Sequence, residues 1–271
     1  MFQRERLRKK DIQFSLASSP ENQTMSEEIL EGKEAGIVHI VGAGPGDPGL
    51  VTLKAKELIE HCDSLLYDYL VDDRLLDWVK EDCKLICVGK RPGMHSMEQA
   101  AIHHLLVEEA KAGREVVRLK GGDPLIFGRG GEEVVALQKE GIAVDVIPGI
   151  TSGIAAASRL LKPLTHREHA STLLFLTGHE DPLKHRPRID WKQVVVDNST
   201  IVLYMGMKHL EDISNQLMQA GKDPETPAAI LQWVTTPKEK IVKTKLGDLA
   251  AQAVEHQMAA PAIVIIGSVL S

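Results

Sequence analysis

Aromatic side chains are scarce in this chain, with three Trp, three Tyr and four Phe among 271 residues. That shortage excludes the stacked platform on which single-stranded nucleic acid binds. Positive charge is not in excess either. Lys and Arg number 32 against 38 Asp and Glu, a formal charge of −6 at pH 7, which argues against bulk electrostatic binding to DNA or anionic lipid. The only cysteines are Cys62, Cys83 and Cys87, too few for a disulfide framework or a four-cysteine zinc site. They read as free thiols in a reducing compartment. No apolar run approaches the roughly 20 residues of a membrane span. The basic start MFQRERLRKK is not followed by the apolar stretch of a secretory signal. These absences predict a cytoplasmic protein.

What is present is alternation. Residues 1–36 are polar, lack an apolar period and read as a mobile extension. Short apolar runs then recur at Ile37–Val41, Leu65–Tyr67, Leu85–Val88, Val116–Leu119 and Ala143–Ile147, each followed by a Gly- or Pro-containing loop and a helical pattern. This predicts an α/β domain over 37–160 with a mostly parallel sheet. Ser96 with Gln99 reads as a capping box, and Gly113 and Gly141 as helix stops. Over 161–271 the strands fall at Thr172–Leu176, Ile201–Tyr204, Ala228–Leu231, Ile241–Lys245 and Ala262–Ile266, with helices at Lys208–Ala220 and Asp248–Gln257. The short spacing before Ile241 predicts an antiparallel pair there. Two α/β domains offer a cleft, a favoured place for a ligand.

The loops carry the chemistry. The first strand runs into Gly42-Ala43-Gly44-Pro45-Gly46-Asp47-Pro48-Gly49, and Asp68 follows the second strand. A dinucleotide fingerprint would look similar, which makes a nicotinamide-dependent oxidoreductase one reading. Asp47, however, occupies the third glycine position, and Pro45 and Pro48 remove N–H donors that a phosphate cradle uses. A tight loop approaching something other than phosphate fits better. Lys90 and Arg91 follow the third strand. The fourth strand opens the segment Arg118 to Glu133, where Gly121 and Gly122 permit close backbone approach. Asp123 there can accept hydrogen bonds, and Arg118, Lys120 and Arg129 add positive charge. Pro148 to Gly153 forms another tight turn, with Thr151 and Ser152 inside it. His166 and His169 are spaced for a metal but lack an evident third ligand, so no metal is expected.

VGAGPGDPGLVTLKA (41–55) and VRLKGGDPLIFGRGGEE (117–133) resemble the two signature segments of the tetrapyrrole methylases, in particular the uroporphyrinogen-III C-methyltransferases. YDYLV, VGKRPG, VIPGITS, PLTHRE, LYMG and QWVTTP follow in the same order, so the resemblance spans about 37–268. It implies the two-domain α/β tetrapyrrole methylase fold, S-adenosylmethionine as methyl donor held between the domains, and a homodimer. It implies methylation of uroporphyrinogen III at C-2 and C-7, giving precorrin-1 and then precorrin-2 for sirohaem or cobalamin. A later-step precorrin methylase is the alternative within the same class. Carried over by motif, the cofactor contacts would be Pro45, Gly121, Gly122, Asp123, Ile126, Thr151, Ser152, Met205 and Val234, where the family commonly has a small residue. Asp68 would be the proton acceptor and Lys90 the proton donor.

Such a substrate brings many carboxylates to a protein of like charge, so local cations must override the repulsion. Arg91, Arg118, Arg129, Lys162, His166 and Arg167 are the candidates, since Arg can bind carboxylate bidentately. The extension lies outside the resemblance. A chain starting at Gly36 is therefore expected to melt and to turn over like the full chain. A large loss of turnover with an unchanged melting curve would show that the extension reaches the site.

Overall fold

The computed structural model describes residues 35–89, 98–178 and 189–271. The extension up to residue 34 lies outside these, as do Ser96 of the expected capping box and the loop cations Lys90 and Arg91. Contacts divide the chain into two compact units. One holds the described residues up to Ala43 together with those of Val51–Gly149. The other holds Ile150–Ser271 together with the loop Gly44–Leu50. The segment 150–160, assigned from sequence to the first domain, packs with the second.

In the first unit, β1 (Ile37–Gly42), β2 (Ser64–Tyr67), β3 (Lys84–Cys87), β4 (Val116–Lys120) and β5 (Ala143–Ile147) form one sheet in the order β3-β2-β4-β1-β5. Every pairing is parallel, as the strand–helix alternation predicts. A parallel sheet is covered on both faces, so successive residues must both be apolar. Val41, Leu65 and Val117 pack with Ala55, Leu58 and Ile59 of α1 (Leu53–His61). Their neighbours Ile40, Leu66 and Val116 pack on the other face with Ile102, Leu106 and Ala110 of α2 (Gln99–Lys111) and Leu137 of α3 (Gly130–Lys139). Thr52 caps α1 by accepting from the Ala55 N–H. Gly113 and Gly141 follow α2 and α3 with φ of 77° and 72°, the left-handed stop that glycine tolerates. Cys62 and Cys83 are buried free thiols with Sγ atoms 3.7 Å apart. Their hydrogen bond, with burial, pushes the Cys62 thiol up.

The second unit holds α4 (Ser152–Leu160), β6 (Thr172–Thr177), α5 (Trp191–Val194), β7 (Ser199–Tyr204), α6 (Leu210–Gln219), β8 (Pro227–Gln232), β9 (Lys240–Lys245), α7 (Leu249–Glu255) and β10 (Ala262–Ile266). Its sheet runs β6-β7-β10-β8-β9. The β8–β9 pair is antiparallel as expected. The sheet is more mixed than the sequence suggests, because β10 also runs antiparallel to both neighbours, β7 and β8. A fully buried strand shows the same apolar run in either direction, so its polarity is not in its pattern. One face packs on α6 and α7 through Ile201, Leu203, Ile230 and Val264. The other packs on α4 through Val202, Tyr204, Leu231 and Ile265. No helix among the described residues is long and apolar enough to cross a membrane.

Glu109 on α2 is 1% exposed and accepts from Ser64, Lys84 and Arg114. Burial opposes its ionisation, but those hydrogen bonds outweigh it and hold the carboxyl below the usual carboxylate range. A depressed folded-state value stabilises the fold above the unfolded value, and that stability is lost as pH falls. Glu109→Gln should therefore cost about 3 kcal/mol at neutral pH by stranding its partners. Urea denaturation should show this cost shrinking below about pH 4, where the unfolded carboxylate protonates.

Candidate functional site

The five parallel strands of the first unit end on one edge. Register places Gly42 opposite Lys120, Val41 opposite Ile147, and Tyr67 opposite both Leu119 and Cys87. The loops after β2, β4, β1 and β5 therefore stand side by side. Ligands of open α/β sheets bind at such carboxyl ends.

Three of these loops meet backbone to backbone. A Cβ on Gly42 would lie 2.6 Å from the Gly149 Cα and 2.7 Å from the Gly122 carbonyl oxygen; one on Gly149 would lie 2.2 Å from that same oxygen. Gly122 has φ 70°. These glycines thus permit loop-to-loop contact, whereas the sequence suggested approach to a ligand. Gly121 differs, since its nearest neighbour would be Leu70 Cβ at 3.5 Å. Asp123 also works inward. Its Oδ1 accepts the Leu125 N–H at 2.8 Å and its Oδ2 the Gly149 N–H at 3.1 Å. Each oxygen of the expected ligand acceptor thus already ties the β4 loop to itself and to the β5 loop. Beyond it Leu125, Ile126 and Phe127 are exposed, as are Tyr69 and Leu70 of the β2 loop, so the edge carries an apolar rim.

Asp68 is half-buried behind this rim. Arg118 Nη2 donates to its Oδ1 at 2.5 Å, and Lys120 Nζ lies 3.8 Å from its Oδ2. Arg118 is 2% exposed; its Nε donates to Glu133 at 3.2 Å and its Nη1 to the Leu119 carbonyl. The expectation that Arg118 binds substrate carboxylates is corrected: a guanidinium so enclosed holds Asp68 and cannot serve as a surface cation. Burial, and then Arg118, push the Lys120 ammonium down, against Asp68 and Glu133. Glu133 was legible only as a helix-start acid, and Gln99 only as a cap. In the structure Gln99 donates to Glu133, and Glu98, at the N-cap of α2, makes no side-chain cap hydrogen bond. Arg129 is exposed and pairs with Glu132 at 2.6 Å. Gly89, the last described residue before Lys90, packs against the backbone of Asp68 and Tyr69.

In the second unit β7 and β8 run the same way on either side of β10, so Met205 and Val234 leave the sheet at one edge. The loop Gly44–Leu50 seats there: the Asp47 N–H donates to Thr235 Oγ1 at 3.1 Å, and a Cβ on Gly46 would lie 3.3 Å from the Val234 carbonyl oxygen. Gly46, next to Pro45 in the chain, is thus brought against Val234. The Val234 side chain is 5% exposed, inside the core cluster with Ala155 and Tyr204, so it does not fill the space outside the sheet. Tyr204, which sequence reasoning missed, holds the α4 start: its hydroxyl lies 2.8 Å from Thr151 Oγ1 and accepts from the Gly153 N–H. Ser152 is half-buried beside it. Met205, Trp233 and Thr235 have φ of 52°, 52° and 64°, as Phe127 and Arg129 do in the first unit at 55° and 58°. Such backbone costs about 1–3 kcal/mol per residue and clusters at functional sites.

The dinucleotide reading fails on geometry. The Gly49 N–H is taken by Asp47 Oδ1, and Thr52 caps the following helix, so the donors that would hold phosphate are used. The basic group near 166 also has its own chemistry. His166 Nδ1 accepts the Glu168 N–H, and Glu168 adds a third ligand-type group, not evident from the His166/His169 spacing, with its ligand atom within 4.8 Å of those of His166 and His169. Arg167 between them is exposed, and Lys162 donates to the Ser271 carbonyl.

Two α/β units, each with strained, glycine-rich strand exits, define the class of open α/β sheet proteins. The family model described as tetrapyrrole (corrin/porphyrin) methylases matches residues 37–250, and the chain belongs to that family. It is 46% identical over 242 residues to a uroporphyrinogen-III C-methyltransferase of Synechocystis, covering 89% of this chain and 92% of that one. It is 46% identical over 236 residues to one of Bacillus subtilis. That match covers 87% of this chain but 49% of the relative, so the chain spans about half that protein's length. The solved uroporphyrin-III C-methyltransferase of Thermus thermophilus, complexed with S-adenosyl homocysteine, superposes with a TM-score of 0.74 at 39% identity over 87% of this chain and 93% of that one.

The glycine junction is testable. Gly42→Ala should lower stability by on the order of 2 kcal/mol, because backbone atoms cannot yield to the new methyl. Gly131→Ala, where a Cβ meets nothing within 4 Å, should be neutral or stabilising by up to about 1 kcal/mol. Paired thermal melts measure both.

Proposed function

We propose that this chain transfers methyl groups from S-adenosylmethionine to C-2 and C-7 of uroporphyrinogen III, giving precorrin-2 by way of precorrin-1. One observation carries the reading. Asp68 stands on the carboxyl edge of the first sheet, clamped by Arg118 at 2.5 Å and followed in the chain by Tyr69 and Leu70 of the exposed apolar rim. The names of the relatives and the product-type ligand of the Thermus structure support the same chemistry.

The donor's groups fit what the chain offers. Gly121 brings main chain to the strand-end edge with no side chain of its own, Ile126 and Met205 are exposed apolar side chains, and Pro45, Thr151, Ser152 and Val234 lie on the second unit. Main-chain and apolar contacts suit a nucleoside and a sulfonium. When bound, S-adenosylmethionine supplies a methyl group already activated by its positive sulfur. The chain's task is then positioning, which brings reacting atoms to about 3–3.5 Å, and disposal of a proton. Methyl transfer leaves the substrate ring cationic, and it must shed a proton. Asp68, an acceptor fixed by two cations, can take it. Lys90 completes the reading as donor, from outside the described residues. Arg91, Arg129, His166 and Arg167 would hold the substrate's carboxylates. Free thiols suit a cytoplasmic setting, and a homodimer is part of the same proposal.

Mass spectrometry after incubation with uroporphyrinogen III and S-adenosylmethionine should show two successive additions of one methylene's mass. A single addition, or methylation only of a later precorrin, would replace this reading with the later-step alternative. Arg129→Ala should raise the tetrapyrrole KM roughly tenfold while sparing that of the cofactor. The effect is modest because Glu132 already shares the guanidinium. Steady-state kinetics with each substrate varied in turn measures it.

A further inference from the structure

Among the described residues, the densest charge cluster in the first unit lies behind Asp68. Glu133, in the first turns of α3, is fully buried. Its Oε1 receives Arg118 Nε at 3.2 Å, Lys120 Nζ at 3.1 Å and Gln99 Nε2 at 3.2 Å. Its Oε2 is buried with no hydrogen-bond partner. Arg118 and Lys120 alternate along β4, so both side chains leave the same face of the sheet. Arg118 reaches Glu133 through Nε and Asp68 through Nη2, and the single Nζ of Lys120 lies between the same two acids.

Stability does not account for this arrangement. Burying two cations and two anions costs several kcal/mol of hydration per ion, and apolar residues of similar volume commonly do as well. The cluster is also one-sided. Glu133, Arg118 and Lys120 are enclosed, and only Asp68 is open toward the edge where the loops gather. Arg118 by itself leaves the second oxygen of Asp68 free to turn. Lys120 beside Oδ2 opposes that rotation, and Glu133 fixes Lys120.

We propose that Lys120 and Glu133 are positioning residues that act through Asp68, holding its carboxylate in the one orientation from which it accepts the substrate's proton. The proposal rests on the role given to Asp68 above. Neither residue touches substrate: the clamp removes the rotational freedom of a half-buried acid before the reaction needs it. Pre-organisation of this kind speeds the chemical step without altering how substrate or cofactor binds.

The test is a double-mutant cycle on the full chain, read by steady-state kinetics with each substrate varied. Lys120→Met keeps the length of the buried stem and removes the ammonium. It should lower kcat about tenfold while leaving both KM values within twofold. In an Asp68→Asn background the same change should cost less than twofold, because a residue acting through Asp68 has nothing left to position. Glu133→Gln should behave likewise. Should it fail to fold, Lys120→Met, which leaves Arg118 between Glu133 and Asp68, still decides the matter. Equal losses in both backgrounds would show a merely structural role and overturn the proposal. A normal kcat for Lys120→Met would do the same. A normal kcat for Asp68→Asn alone would overturn the role of Asp68 itself, and is distinguishable because it appears in the single variant.

Discussion

Gly42, Gly122 and Gly149 end three neighbouring strands and touch through their backbones, with no room for one methyl group among them. The rest of the first unit's edge depends on that contact. It draws the β4 and β5 loops together so that one carboxylate, Asp123, can accept N–H groups from both. Once the loops are tied, their outer residues have little freedom, and Leu125, Ile126 and Phe127 remain exposed as a preformed rim. The positive φ of Phe127 and Arg129 is strain that such tying can sustain.

Behind the rim, charge performs what glycine performs in front. Arg118 and Lys120 lie on β4 between the strands that carry Asp68 and Gly42. Their ammonium and guanidinium groups span from a buried acid on α3 to a half-open one after β2. An isolated ion so deep in a protein would be untenable. Two of each sign, mutually hydrogen-bonded, are tolerated, and the least buried member is left facing the edge.

The second unit solves a related problem with a hydroxyl. Tyr204 ends β7 and bonds to both Thr151 and Gly153, fixing where α4 begins. The loop Gly44–Leu50 fills the edge beside β8 through Asp47 and Thr235. Its aspartate, which weakens a phosphate reading in the sequence, closes the loop on itself through the Gly49 N–H and on that edge through Thr235.

The ten strands among the described residues and the glycine stops were legible from residue order, because apolar period and turn chemistry are local properties set within a few positions. Residue order also placed the glycine loops at strand ends. It did not tell which glycines meet each other's backbone, as Gly42 and Gly149 do, and which meet only one neighbouring residue at ordinary contact distance, as Gly121 does. Nor did it tell that Arg118 is enclosed or that β10 runs antiparallel. It left Glu133 as a helix-start acid, with no sign that it anchors two cations of β4. Each of these depends on partners brought close only by sheet order and register. An isolated Arg-x-Lys reads the same whether it faces solvent or a buried carboxylate. Pattern in the chain determined the elements and the chemistry on their loops. Tertiary packing alone decided which charges are enclosed, which are paired and which face the strand-end edge, because burial and pairing are properties of distances between residues far apart in the chain.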